Sequence, residues 1–116
     1  MKILLHIDEP NKWSLVLGNI KNVLANGEEN NTTYELEVLA NSMAVFQLRE
    51  DIAKNSNLLN QVNEYSKKGV VFAVCNNSLK KFNIDPKELI SFCKVVPAGI
   101  IELAKKQSEG YLYIKP

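Results

Sequence analysis

The sequence predicts an α/β fold, a three-layer α/β/α domain built on a mainly parallel five-stranded sheet and spanning residues 1–116 as a single unit. Three observations predict it. Five short apolar runs have strand length, segments with apolar residues at helical spacing separate them, and strand–helix–strand order calls for right-handed crossovers. A chain of 116 residues is long enough to bury a core without disulfides or metals holding it together.

Taken in order, Lys2 to Ile7 (KILLHI) reads as the first strand. Trp13, Val16, Leu17, Ile20, Val23 and Leu24 then recur at helical spacing. Asp8 or Glu9 serves as the cap of that helix, Pro10 suits its first turn, and Asn26-Gly27 is a stop signal, which leaves GEENNTT as a surface loop. Tyr34, Leu36 and Val38 alternate with Glu35 and Glu37, the pattern of a strand with one wet face, and place the second strand at or near a sheet edge.

SMAVFQLRE is expected to form a short helix, AKNSN a turn, and LLNQVNEYSKK a helix that Gly69 ends before the strand Val70 to Cys75. Leu79 and Phe82 anchor a brief helix. Asp85, Pro86 and Glu88 supply the N-cap, first-turn proline and third-position glutamate of another, which carries Leu89, Ile90 and Phe92 inward and ends at Cys93. KVVPAG is a short strand ending at Pro97, AGIIELAKKQSE a helix stopped by Gly110, and YLYIK the last strand.

Fourteen basic side chains nearly cancel thirteen acidic ones, so nothing advertises a nucleic-acid or anionic membrane surface. The apolar runs are far shorter than a bilayer span, and His6, Asp8 and Glu9 interrupt any secretory pattern, so a cytoplasmic protein is expected. Cys75 and Cys93 allow at most one bridge and are expected as free thiols. With one histidine, no C-x-x-C pair, no G-x-G-x-x-G and no P-loop, neither a metal nor a cofactor is expected.

In a parallel α/β sheet, ligands meet the loops at the carboxyl ends of the strands, which is where Cys75 falls. Two readings stand side by side. Free cysteine packs well as a small hydrophobe. Between a strand and a helix N-terminus, however, backbone N–H groups favour a thiolate. A helix end supplies only about 0.3–1 kcal/mol, less than one pKa unit, so other groups have to help. Asn76, Asn77 and Ser78 are able to orient a sulfur, and they are equally the residues expected in a turn or cap after a strand. His6 shares a strand face with Asp8, which makes a Cys75–His6–Asp8 arrangement conceivable, although a lone strand histidine is more often a hydrogen-bonded core residue. Cys93 reads as core packing. Trp13, Tyr111 and Tyr113 read as core or subunit contacts.

Three stretches, HIDEPNKWSLVLGNIKNVL, VVFAVCNNSLKKFNID and VVPAGIIELAKKQSEGYLYIKP, resemble the DsrE/DsrF-like family, also called YchN-like, of small intracellular sulfur-oxidation and sulfur-relay proteins. The resemblance implies a DsrE/YchN-like fold assembled as a homotrimer or homohexamer. It also implies that Cys75 accepts sulfane sulfur as a persulfide from a protein donor and passes it to an acceptor, a sulfurtransferase-like role. The pocket it implies comprises Asn41 and Ser42 after the second strand, Asn76, Asn77 and Ser78 after the third, and Pro97, Ala98 and Gly99 after the fourth, with His6 close by. ANSMAV departs from the glycine-rich turn associated with many members. The competing functions are non-covalent binding of a small ligand in the same pocket, and a homo-oligomeric interaction protein whose cysteine is merely buried.

Overall fold

A computed structural model describes residues 1–116. Its strands are β1 (Lys2–Ile7), β2 (Glu35–Ala40), β3 (Val71–Cys75), β4 (Cys93–Val96) and β5 (Leu112–Ile114). All pair in parallel in the order β4-β3-β2-β1-β5. The helices are α1 (Trp13–Asn30), α2 (Glu50–Ala53), α3 (Leu58–Lys67), α4 (Asn76–Lys81) and α5 (Gly99–Ser108). Short 3₁₀ segments fill Pro10–Lys12, Ser42–Leu48 and Pro86–Glu88.

Strand alternation divides the side chains between two faces. Ile3, Leu5, Ile7, Leu36, Val38, Ala40, Phe72 and Val74 point into the larger core, which contains Trp13, Val16, Ile20, Val62 and Leu79 from the helical layer. Trp13 is locked there by donating its Nε1–H to the Ala44 carbonyl at 3.0 Å. The opposite face buries Leu4, Leu39, Ala73 and Val96 beneath Leu103 of α5. The residues that alternate with the larger-core positions, including His6, Glu37 and Cys75, therefore share the α5 side of the sheet.

This layering fixes a switch point. The connection leaving β3 enters α4 on one face, whereas the connection leaving β4 enters α5 on the other. Adjacent strands whose chains depart to opposite faces leave a crevice at their carboxyl ends, and Cys75, paired in register with Val96, stands at its rim.

Four expectations are corrected. Helix α1 does not stop at Asn26-Gly27 but runs to Asn30, and Asn31 ends it in the left-handed region at φ 51°. Gly27 serves the returning chain instead, since a Cβ there would stand 2.6 Å from the Thr32 carbonyl oxygen. Asn26 Oδ1 accepts the Tyr34 hydroxyl at 2.6 Å. Second, β2 lies in the middle of the sheet rather than at its edge. Its alternating glutamates suggested a wet face, but Glu37 is 2 % exposed, covered by α5 with Lys106 Nζ at 3.8 Å.

Third, Asp85 does cap, accepting from the Lys87 N–H at 2.9 Å, but only one 3₁₀ turn follows. Ile90 N–H donates to the Leu48 carbonyl and Leu89 bridges Arg49, so tertiary hydrogen bonds hold this stretch extended. Phe92 is consequently exposed, and Cys93 begins β4 instead of ending a helix. Fourth, neither Asp8 nor Glu9 caps α1 with its side chain. Glu9 precedes the 3₁₀ turn without a capping bond, and Asp8 pairs with Lys115 at 3.1 Å. No helix is long and apolar enough to cross a membrane.

Candidate functional site

Strand β3 is apolar up to its last residue because it is buried between β2 and β4, and α4 begins at the next position. Cys75 is thereby delivered to the mouth of the crevice while remaining 5 % exposed. Across the gap, the first residue of α5 reaches it, and the Gly99 N–H donates to Cys75 Sγ at 3.2 Å. Glycine eases this approach. A Cβ on Gly99 would lie 3.2 Å from Cys75 Cβ, 3.3 Å from Leu39 Cδ1 and 3.4 Å from Asn41 Cβ.

Ser78 closes the other side. Its Oγ accepts the Ser42 N–H at 2.8 Å, which leaves the hydroxyl proton available to the sulfur. Ser42 holds that N–H in place from the left-handed region at φ 52°, a conformation glycine adopts at less cost. The turn that lacks the expected glycines thus takes a glycine-like shape and uses it to orient Ser78.

Electrostatically, burial acts to raise the Cys75 pKa. The Ser78 hydroxyl and the backbone N–H groups of Ser78, Gly99 and Asn77 outweigh it and hold the thiol below its ordinary value. Cys93, half-buried against the larger core without such donors, is pushed up to about 12 by burial. The two thiols therefore sit in opposed environments, one ringed by hydrogen-bond donors and one set against apolar side chains.

His6 does not join Cys75 and Asp8 in a nucleophilic triad. Its Nε2 pairs with Asn41 Oδ1 at 2.9 Å and its Nδ1 with the Tyr113 hydroxyl at 2.6 Å, while Asp8 is engaged by Lys115. Asn41, Ser42, Ser78, Gly99 and Cys75 converge on the crevice. Asn77 contributes through its backbone with its side chain exposed. Pro97 is exposed, and Ala98 acts as the cap residue of α5, its carbonyl accepting the Glu102 N–H at 3.0 Å. Asn76, half-buried, opens α4.

Sequence reasoning missed Tyr113 as a neighbour of His6. The signal was present in the alternation of YLYIK, because pairing of β5 with β1 sets Tyr113 beside Leu4, on the face that His6 shares. A surface groove lies away from the thiol, along the end of α1 and the turn after it, where Leu24, Asn31, Thr32 and Tyr34 line it.

An all-parallel sheet covered on both faces, with a donor-ringed thiol at its switch point, defines a small α/β domain with one cysteine at the carboxyl edge of its sheet. The chain belongs to the DsrE/DsrF-like family, whose sequence profile matches residues 4–116. Among solved structures it is similar to the protein of unknown function MTH1491 from Methanobacterium thermoautotrophicum, at 32% identity and a TM-score of 0.86, over 99% of this chain and 98% of that one. A search of curated proteins returns no match.

Proposed function

We propose that this protein carries sulfane sulfur as a persulfide on Cys75. The observation that carries the reading is the Gly99 N–H aimed at Sγ from 3.2 Å in a crevice whose other donors lower the thiol's pKa. Family membership supports a sulfur-relay role in general. In loading, the Cys75 thiolate attacks the outer sulfur of a donor persulfide, a new S–S bond forms, and the donor leaves as its thiolate. In unloading, an acceptor thiolate attacks the carried sulfur and Cys75 leaves as a thiolate stabilised by the donors that favoured it at the start. Both exchanges are redox-neutral, consistent with a chain that has no second cysteine near the first. Free thiols suit the reducing cytoplasm, the compartment assigned in this reading.

The acceptor and donor are proteins that dock at the crevice mouth, and assembly as a homotrimer or homohexamer belongs to the same reading. Ile100 and Ile101, 71% and 64% exposed in the first turn of α5 beside Cys75, support an apolar contact there. The experiment is intact-protein mass spectrometry after incubation with a persulfide donor, on wild type, Cys75→Ser and Cys93→Ser. One added sulfur atom, removed by reductant and lost only in Cys75→Ser, is the expected result. A folded, reduced wild type that adds nothing overturns the reading in favour of ligand binding or assembly.

A further inference from the structure

Both ring nitrogens of the buried His6 are committed, and the commitment has a direction. Asn41 Oδ1 is an acceptor only, so the proton between it and the ring sits on His6 Nε2. Nδ1 is then the ring's acceptor, and the Tyr113 hydroxyl donates to it at 2.6 Å. The Asn41 amide is thus held by its oxygen, and its Nδ2 takes no partner within the chain, a half-buried donor at the crevice. Asn41 Cβ and Cys75 Cβ both lie within 3.5 Å of the point a side chain would occupy on Gly99, which sets the two residues around one small space. A second sulfur on Cys75 extends Sγ by about 2 Å, and Asn41 lies beside the residue that carries it.

We propose that Tyr113 and His6 are positioning residues that hold the Asn41 amide with its N–H groups toward the outer sulfur of a Cys75 persulfide. This rests on the carrier reading and adds to it a division of labour. Gly99 and Ser78 serve the inner sulfur, while Asn41 serves the outer one. The outer sulfur carries the negative charge of the persulfide anion, and a donor fixed in advance binds it without the cost of ordering a free side chain.

Tyr113→Phe removes one hydroxyl from a 40% exposed side chain and leaves the core untouched. Asn41→Ala removes the amide itself. The measurements are the rate of sulfur uptake from glutathione persulfide, the rate of alkylation by uncharged iodoacetamide, and the ¹⁵N shifts of the only histidine in the chain. Wild type is expected to show the Nε2-protonated tautomer. Sulfur uptake is expected to fall about tenfold or more in Asn41→Ala and severalfold in Tyr113→Phe, with alkylation unchanged in Tyr113→Phe.

A general structural defect would slow alkylation and uptake together in Tyr113→Phe, and that outcome overturns the inference. So does an Nδ1-protonated His6 in wild type, or wild-type uptake in both variants, which leaves the carrier reading intact. Failure of wild type itself to load overturns the carrier reading and this inference with it.

Discussion

Glu37 and Glu102 meet carboxyl to carboxyl between the middle strand of the sheet and α5, each with an Oε2 that is buried and unpartnered. Burial, then the hydrogen bond and negative charge of Glu102, push the Glu37 carboxyl up to about 8 against the pull of Lys106 and Lys94. The folded protein thus retains a proton that the unfolded chain releases above 4.5. The stabilisation is complete below 4.5 and is lost as the pH climbs toward about 8. Urea unfolding is expected to show stability declining across this window by on the order of a few kcal/mol. Glu37→Gln should flatten the decline, and an equally steep decline in that variant would remove Glu37 as its source.

Gly99→Ala places a methyl against Cys75, Leu39 and Asn41 at 3.2–3.4 Å. A shift of a few tenths of an ångström between the start of α5 and these side chains relieves the contacts, at an expected cost of about 1 kcal/mol. The N–H at position 99 then moves away from Sγ. Thermal unfolding should report the loss of stability, and iodoacetamide alkylation near neutral pH should slow because less thiolate is present.

Ser78→Ala removes a hydroxyl that bonds in two directions. The Ser42 N–H loses its acceptor, costing about 1–3 kcal/mol, and Cys75 loses the leading contribution to its lowered pKa. In wild type the alkylation rate should rise with a midpoint below pH 9.0, and in Ser78→Ala that midpoint should move upward. An unmoved midpoint would show that the backbone donors suffice.

Cys93 should remain unmodified in the native protein, its thiol held up to about 12, and become reactive only on unfolding. Peptide mapping after brief alkylation tests this. A label at position 93 matching that at position 75 would contradict the opposed environments of the two thiols.

Much of this was legible in the residues. The apolar run ending at Cys75 and the helix stops at Gly69 and Gly110 are local signals, and the structure uses both glycines at positive φ. The misread elements are those where distant contacts overrule a local signal. Asn26-Gly27 resembles a stop because the pair favours turns, yet Gly27 is needed for the close pass of Thr32 and Tyr34. Glu37 looked solvated because nothing next to it in sequence announces Glu102 or Lys106. The Asp85-Pro86-Glu88 cap signal is sound, but the carbonyl of Leu48 claims Ile90 before a second turn forms. Around the thiol, position along the chain pointed to Cys75 and Ser78, and the family resemblance placed Gly99 beside them. The Tyr113–His6–Asn41 chain required knowing that β5 lies beside β1.

Helix α5 touches the sulfur at one end, through Gly99, and the Glu37 carboxyl near the other, through Lys106. Its ten residues make a stiff rod about 15 Å long. Glu102, three residues on from Gly99, brings the acid pair onto the same helix, so one element both donates to the sulfur and covers the buried carboxyls.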